Sequence, residues 1–143
     1  MKIGLIQQRA SGDLDDNLRR GREAFREAAA KGAGLVAFAE LAFLPFLPRV
    51  PAGRNLGFGA LAQTVPGPLT EEFSALARRH GVVTVLNLFE TDGRRTFDSS
   101  PVIDADGRLL GTTRMVHIMD GPGFHERGYY APGGKQGFVF DTA

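Results

Sequence analysis

The sequence contains no cysteine among its 143 residues. This absence excludes disulfide bonds, thiolate metal sites and a cysteine nucleophile within the chain. No apolar run approaches the roughly 20 residues that span a bilayer. The N-terminal MKIGLIQQ also lacks the apolar core and the small-residue cleavage site of a signal peptide. We therefore expect a cytoplasmic protein that makes no contact with a membrane.

An excess of charge of either sign is also missing. Lys and Arg together number 17 and Asp and Glu 16, so the net charge is +1. This balance offers no electrostatic reason to expect nucleic acid as a partner. The hydrophobic fraction of 43% and the charged fraction of 23% are those of an ordinary globular protein. The length suits one domain that can bury a core.

The first half of the chain has the periodicity of an α/β protein. Residues 2–8 form an apolar, strand-like run, and residues 35–39 form a second one. Between them, apolar residues recur at helical spacing from Leu14, and either Ser11 or Asp13 is a candidate N-cap. Strand, helix and strand in this order predict a parallel βαβ unit.

The second half predicts a mixed sheet. Residues 41–68 are irregular and long for a plain connection, which favours a functional or interfacial segment. A helix capped by Thr70 and a third strand at 82–88 follow. The dipeptides Asp92-Gly93 and Asp106-Gly107 are hairpin signals, so the later strands are expected to pair antiparallel. A last short strand is predicted at 137–140.

Two carboxylates are candidates for chemistry. Glu40 follows the apolar run LVAFA at the carboxyl end of the second predicted strand, where α/β sheets bind ligands. Partial desolvation there would raise its pKa and suit a general base. Glu126 lies in a Gly-rich loop, flanked by His125 and Arg127, and His117 is predicted to lie on the strand before this loop. The alternatives are a solvated or ion-paired Glu40, an exposed Glu126 and a structural His117. The spacing of His117 and His125 matches no metal motif, so no metal is expected.

Six segments carry a resemblance to a known family. They are KIGLIQQ, GAGLVAFAELAF, GPLTEEFSALARRHGVV, FDSSPVIDADGRLLG, RMVHIMDGPGFHERGYYAPG and GFVFDTA. Their order and spacing resemble the N-terminal half of the nitrilase superfamily of carbon–nitrogen hydrolases. The most similar branches are the N-carbamoylputrescine amidohydrolases and related carbamoylases and amidases.

The resemblance implies a fold and an activity. The expected fold class is α/β, the N-terminal half of a four-layer α-β-β-α sandwich, with a mixed sheet and helices on one face. Residues 1–143 would be a partial domain whose C-terminal half, with the nucleophile, is absent. The family hydrolyses amide, nitrile or carbamoyl carbon–nitrogen bonds by a Glu-Lys-Cys thiol mechanism without a cofactor. Full-length members form homo-oligomers and act on small molecules.

Site residues transfer only in part. The resemblance places Glu40 on the catalytic base and Glu126 on the second glutamate of the site. Met115 stands where the family pattern R-K-x-H-I has its lysine, and a thioether cannot stabilise an oxyanion. Strand neighbours point to opposite faces, so the adjacent Arg114 is a poor substitute.

Three further residues are expected to line a substrate pocket, namely Arg114, His117 and Phe124. The chain supplies no nucleophile, so we expect it to be inactive alone. The alternative is a non-catalytic hydrolase half that acts as an interaction module.

Overall fold

A computed structural model describes residues 1–134 and 139–143. The described part contains two α-helices and six β-strands, joined by short 3-10 turns. In chain order these are β1 (Ile3–Ile6), α1 (Leu14–Ala30), β2 (Leu35–Phe38), α2 (Pro68–His80), β3 (Val83–Val85), β4 (Leu88–Thr91), β5 (Thr96–Ile103) and β6 (Leu109–Arg114).

The six strands form one mixed sheet. β1, β2 and β3 are parallel neighbours, as the βαβ pattern predicts. β5 then pairs antiparallel with β3, β4 and β6. β3 and β4 lie on one side of β5, and β6 lies on the other. Ser99 of β5 pairs with both β4 and β6, and Val102 pairs with both β3 and β6. Gly93 and Gly107 have positive φ values of 87° and 86° in the two hairpin turns, which glycine adopts without steric cost.

Both helices begin at a side-chain hydrogen bond. The Asp13 carboxylate accepts from the Asp16 N–H at 3.0 Å, so Asp13 rather than Ser11 is the N-cap of α1. The prediction that Thr70 caps α2 is wrong. Gly67 is the N-cap, and Thr70 lies three residues later, where its hydroxyl accepts from the Gly67 N–H at 2.8 Å. The helix therefore begins before Thr70. Pro68 fits in its first turn, because an N–H at that position would have no partner within the helix.

The main core lies between the helices and one face of the sheet. Phe25 of α1 and Phe73 of α2 are fully buried against Val36, Phe38 and Ile103 of the strands. On the other face, Leu5 is 80% exposed. Helices on one face of a mixed sheet are the fold class that the sequence predicts.

Three details of the predicted sheet need correction or stay open. The strand predicted at 82–88 is interrupted, since Leu86 and Asn87 separate β3 from β4. β6 ends at Arg114, so His117 lies in the following loop rather than on a strand. Of the strand predicted at 137–140, residues 137 and 138 lie outside the described part, and residues 139 and 140 are not in a strand. No described helix is long and apolar enough to cross a membrane.

Candidate functional site

Glu40 lies in a sharp turn two residues after β2. The next residue, Leu41, has a φ of 45°, which is rare for a residue with a branched side chain. Its N–H donates to Asn87 Oδ1 at 2.7 Å, and its side chain is 3% exposed. The hydrogen bond and the burial hold this strained turn, and strain of this kind is concentrated at functional sites.

Asn87 links this turn to the middle of the sheet. It occupies the break between β3 and β4, where its side chain is free from regular strand geometry. While its Oδ1 accepts from Leu41, its Nδ2 donates to Asp98 Oδ1 at 2.7 Å and to Ser100 Oγ at 3.2 Å. One amide therefore brings the Glu40 turn and the Asp98 carboxylate of β5 together.

The loop from Met115 to Gly133 covers the same end of the sheet. The Met115 N–H donates to the Asp98 carbonyl at 2.9 Å, and the Gly133 N–H donates to the Met115 carbonyl at 2.8 Å. The Ala131 N–H donates to the Thr96 carbonyl at 2.8 Å. Both ends of the loop are thus attached to β5 and to each other, which limits where its side chains can lie.

Glu126 is held inside this loop. Its side chain is 5% exposed, and Oε2 accepts from the Met119 N–H at 2.8 Å. It begins a short 3-10 turn, Glu126–Gly128, and its carbonyl accepts from the N–H groups of Tyr129 and Tyr130, both at 2.8 Å. This burial excludes the alternative interpretation, in which Glu126 is an exposed loop charge.

Glu40, Asp98 and Glu126 form a group that we call the carboxylate cluster. Burial, together with the negative charges of Asp98 and Glu126, raises the pKa of Glu40 to about 7. Glu40 as a residue is nevertheless exposed, so its carboxyl is buried on one side and open to solvent on the other. Burial also raises the pKa of Asp98, although the Asn87 hydrogen bond opposes this rise. Like charges at close range favour a proton shared between Glu40 and Asp98.

Tyr130 places a hydroxyl beside the carboxylate cluster. The residue is 4% exposed, and its hydroxyl has no hydrogen-bond partner within residues 1–134 and 139–143. Burial and the charges of Asp98, Glu40 and Glu126 raise the pKa of this phenol. Tyr129, in contrast, donates from its hydroxyl to the Val50 carbonyl at 3.0 Å. The two adjacent tyrosines therefore differ in their polar environment, although both pack in the same apolar cluster.

Arg114 and Met115 point to opposite faces of the sheet. Arg114 pairs with Ser99 across the strands and binds the Glu90 carboxylate with its guanidinium. Its guanidinium also lies 3.8 Å from the centre of the Phe97 ring. Met115, which follows at the end of β6, lies opposite Asp98 and shares its face. The structure thus brings Met115, and not Arg114, to the carboxylate cluster.

The other two pocket candidates lie at the surface of the loop. His117 is exposed, and Phe124 is 51% exposed with its ring edge-on to Phe46 at 5.7 Å. The loop turns at Gly121–Phe124, and His125 donates its N–H to the Pro48 carbonyl at 2.8 Å. This part of the loop therefore packs on the irregular 41–68 segment.

A cleft of about 640 Å³ opens beside Glu40. Its walls come from the stretch after β1 and from the 41–68 segment, with Arg9, Arg49 and Arg54 among the lining residues. Within the described ranges, no group of three His, Asp or Glu side chains is arranged to hold a metal ion. The cleft gives a small molecule access to Glu40.

Sequence reasoning missed Asp98, Asn87 and Tyr130. Asp98 is a charged residue inside the otherwise uncharged strand β5, and this is the one signal that pointed to it. Asn87 lay inside a predicted strand, where an amide has no obvious role. The ring of Tyr130 packs in an apolar cluster, and no pattern in the sequence marks its hydroxyl as a site group.

The comparisons with known proteins agree with this fold. The family described as carbon-nitrogen hydrolase matches residues 2–143, and the chain belongs to that family. The chain is 31% identical over 144 residues to citrullinase of Francisella tularensis. It is 33% identical over 140 residues to N-carbamoylputrescine amidase of Arabidopsis thaliana.

A solved structure shows the same fold. The carbon-nitrogen hydrolase of Helicobacter pylori superposes with a TM-score of 0.84 at 27% identity, over 93% of this chain and 45% of that one. The alignments with the citrullinase and the amidase cover 99% and 98% of this chain but 49% and 46% of those proteins. The chain therefore spans about half the length of the curated relatives that it matches.

Proposed function

We propose that these residues form the base-bearing part of a hydrolase that cleaves a non-peptide carbon–nitrogen bond in a small amide or N-carbamoyl compound. The observation that supports this proposal is the position of Glu40 beside a cleft, with a pKa raised to about 7 by burial and by two neighbouring carboxylates. A general base works best when its pKa lies near the operating pH. The names of the similar citrullinase and N-carbamoylputrescine amidase suggest a carbamoyl substrate.

The proposed chemistry needs a nucleophile from outside these 143 residues, since they contain no cysteine. A thiol would lose its proton to Glu40 and attack the carbonyl carbon of the substrate. Glu40 would then return the proton to the leaving amine or ammonia as the carbon–nitrogen bond breaks. Water would hydrolyse the acyl-thioester with Glu40 again accepting a proton. Glu126 would hold the loop, and its charge would keep the pKa of Glu40 high.

Met115 separates this site from a complete Glu-Lys-Cys arrangement. It faces Asp98 at the place where the resemblance expects a lysine, so no ammonium from this position stabilises an oxyanion. Residues 1–143 would form a partial domain, and we expect the 143-residue chain alone to release no ammonia from amide or carbamoyl substrates.

The test uses the complete protein that contains these residues. Glu40→Gln keeps the size of the side chain but removes the base, so kcat should fall by at least a hundredfold, as removing a general base typically does. Glu71→Gln, on the exposed side of α2, is the matched control and should retain the wild-type rate. Ammonia release from citrulline, an N-carbamoyl amine and a simple amide measures the activity. Wild-type turnover by Glu40→Gln would refute the proposed role.

A second candidate is a non-catalytic hydrolase half that acts as an interaction module. Met115 at the lysine position and the exposed apolar face around Leu5 favour it. In this case the complete protein would release no ammonia from any of the three substrates, and Glu40→Gln would leave its binding to other proteins unchanged.

A further inference from the structure

We propose that the cleft beside Glu40 selects substrates that carry a carboxylate at the end remote from the reacting carbon–nitrogen bond. This selectivity rests on the proposed function, in which that bond lies at Glu40, and adds the chemical class of the substrate. Three arginines, Arg9, Arg49 and Arg54, line the cleft. Among the described residues that line it, Glu40 is the one acidic residue. The cleft is therefore cationic in a chain whose net charge is only +1.

The arginines and Glu40 are separate parts of the cleft. Burial and two carboxylates raise the pKa of Glu40, and no arginine is among the groups that act on it. No salt bridge joins Glu40 to an arginine in residues 1–134 and 139–143. A ligand that reacts at Glu40 can therefore extend to the guanidinium groups with its other end.

Arg49 is firmly held on the 41–68 segment. It ends a 3-10 turn whose other residues, Leu47 and Pro48, are buried. The Pro48 carbonyl accepts from the His125 N–H at 2.8 Å, which attaches this turn to the loop that covers the carboxylate cluster. The backbone of Arg49 is therefore fixed, while its side chain reaches solvent in the cleft.

Arg54 is held in a similar way. It ends the next 3-10 turn, whose first residue, Ala52, packs closely against Gly128. A Cβ added at Gly128 would lie 2.9 Å from the Ala52 Cβ. On the other side of Arg54, the Asn55 side chain donates to the Tyr129 hydroxyl at 3.2 Å. These two contacts fix the backbone of Arg54 against the same loop.

Arg9 comes from the other wall, the stretch that follows β1. The neighbouring Gln8 donates from its side chain to the carbonyls of Asn17 at 2.9 Å and Ala42 at 3.0 Å. The Arg9 carbonyl itself accepts from the Arg20 guanidinium at 2.8 Å. The three arginines of the cleft therefore stand on two walls, each of which is held by its own hydrogen bonds.

A carboxylate is the ligand group that this lining favours. A guanidinium can donate two parallel N–H bonds to the two oxygens of a carboxylate, which adds hydrogen bonding to the attraction between opposite charges. The lining also contains the apolar residues Leu44, Phe46 and Leu47, which suit an aliphatic stem. A ligand that ends in an ammonium group would meet charges of its own sign. The substrate class is therefore a carbamoyl or amide compound with a short aliphatic stem and a terminal carboxylate.

The experiment measures binding to the complete protein that contains these residues, in its Glu40→Gln form so that no ligand is consumed. Isothermal titration calorimetry compares three ureas of similar length, namely the acid ureidobutyrate, the amine ureidobutylamine and the neutral pentylurea. Ureidobutyrate should bind at least about tenfold more tightly than pentylurea, as expected for hydrogen bonds between charged groups. Ureidobutylamine should bind less tightly than pentylurea.

Variants of the arginines locate the selectivity. Arg49→Gln and Arg54→Gln should each weaken the binding of ureidobutyrate at least about fivefold, because each removes a charged donor. Neither substitution should change the binding of pentylurea. Arg26→Gln, exposed on α1 and outside the cleft, is the matched control and should bind all three ureas as the parent does.

Three results would overturn the proposal. They are ureidobutyrate binding no tighter than that of pentylurea or of ureidobutylamine, unchanged ureidobutyrate binding in both arginine variants, and an equal loss of ureidobutyrate and pentylurea in those variants. Circular dichroism of each variant establishes that it is folded. Ammonia release is a separate measurement on the protein with Glu40 intact. Selective binding of ureidobutyrate without ammonia release from any of the ureas would refute the proposed hydrolase and leave the selectivity of the cleft standing.

Discussion

Glu40 is the residue on which the account depends. Partial burial and two carboxylate neighbours raise the pKa of its carboxyl to about 7 from the ordinary 4.5, and a cleft opens beside it. Neither property is a local one. Asp98 is 58 positions and Glu126 86 positions further along the chain, as their numbers show. The strand-end position of Glu40 was predictable from the sequence, whereas the charges that act on it depend on the fold.

The raised pKa of Glu40 predicts how stability changes with pH. A carboxyl whose pKa is raised on folding holds its proton more tightly in the folded state, so its ionisation favours unfolding. Stability should therefore fall as the pH rises from about 4.5 through about 7. Asp98 acts in the same direction because its pKa is also raised.

Urea unfolding of the wild type and of Glu40→Gln at pH 5 and pH 8 measures this effect. The wild type should lose stability relative to Glu40→Gln between the two pH values. Glu71→Gln, exposed on α2, should follow the wild type. A constant difference between the wild type and Glu40→Gln would show that Glu40 titrates normally.

At the scale of elements, the break between β3 and β4 organises the site. A continuous strand would have turned the Asn87 side chain into the regular alternation of the sheet. In the break, the amide oxygen of Asn87 accepts from the Leu41 N–H, and the amide nitrogen donates to Asp98. The strained turn after β2 and the acidic position of β5 therefore depend on one side chain.

Asn87→Ala should destabilise the fold by roughly 1–3 kcal/mol, because it leaves the Leu41 N–H and the Asp98 carboxylate without partners. Chemical denaturation of the 143-residue chain measures the loss. Asn55→Ala is the matched control, since Asn55 donates one hydrogen bond of 3.2 Å to the Tyr129 hydroxyl. Its cost should be less than about 1 kcal/mol. Equal losses for the two variants would contradict the bridging role of Asn87.

The elements that were predictable are those that local signals determine. The β1-α1-β2 unit follows from apolar periodicity and from Asp13 as a cap, and the two hairpins follow from Asp-Gly turns. The break at Asn87 was not predictable because its hydrogen bonds reach residues 46 and 11 positions away. The same reason explains why Asp98 and Tyr130 were missed. Hydrogen bonds and charge repulsion between residues that are far apart in the chain leave no periodic pattern in the sequence.

At the scale of the whole molecule, the sheet face opposite the helices is open at β1. Ile3 and Leu5 of β1 are 53% and 80% exposed, while the other face is covered by α1 and α2. Among the strands that the structure describes, β1 is also at the edge of the sheet and pairs only with β2. Apolar residues on an open edge favour association with further chains.

The 143-residue chain should therefore self-associate. Leu5→Lys places a charge on the exposed face and should raise the monomer fraction in sedimentation velocity runs at a fixed concentration. Leu56→Lys is the matched control, because Leu56 is 89% exposed but lies in the 41–68 segment away from the sheet. A clean monomer for the unmodified chain, or an equal effect of the two substitutions, would show that this face is not the associating surface.

The central claim is that burial and the neighbouring carboxylates of the cluster together raise the pKa of Glu40 into the neutral range. The most direct measurement is an NMR titration of the side-chain ¹³C carboxyl of Glu40, assigned by its loss in Glu40→Gln. The account predicts a midpoint near pH 7, and a lower midpoint in Asp98→Asn. A midpoint near 4.5 in the folded chain would contradict it, because Glu40 would then be an ordinary solvated glutamate.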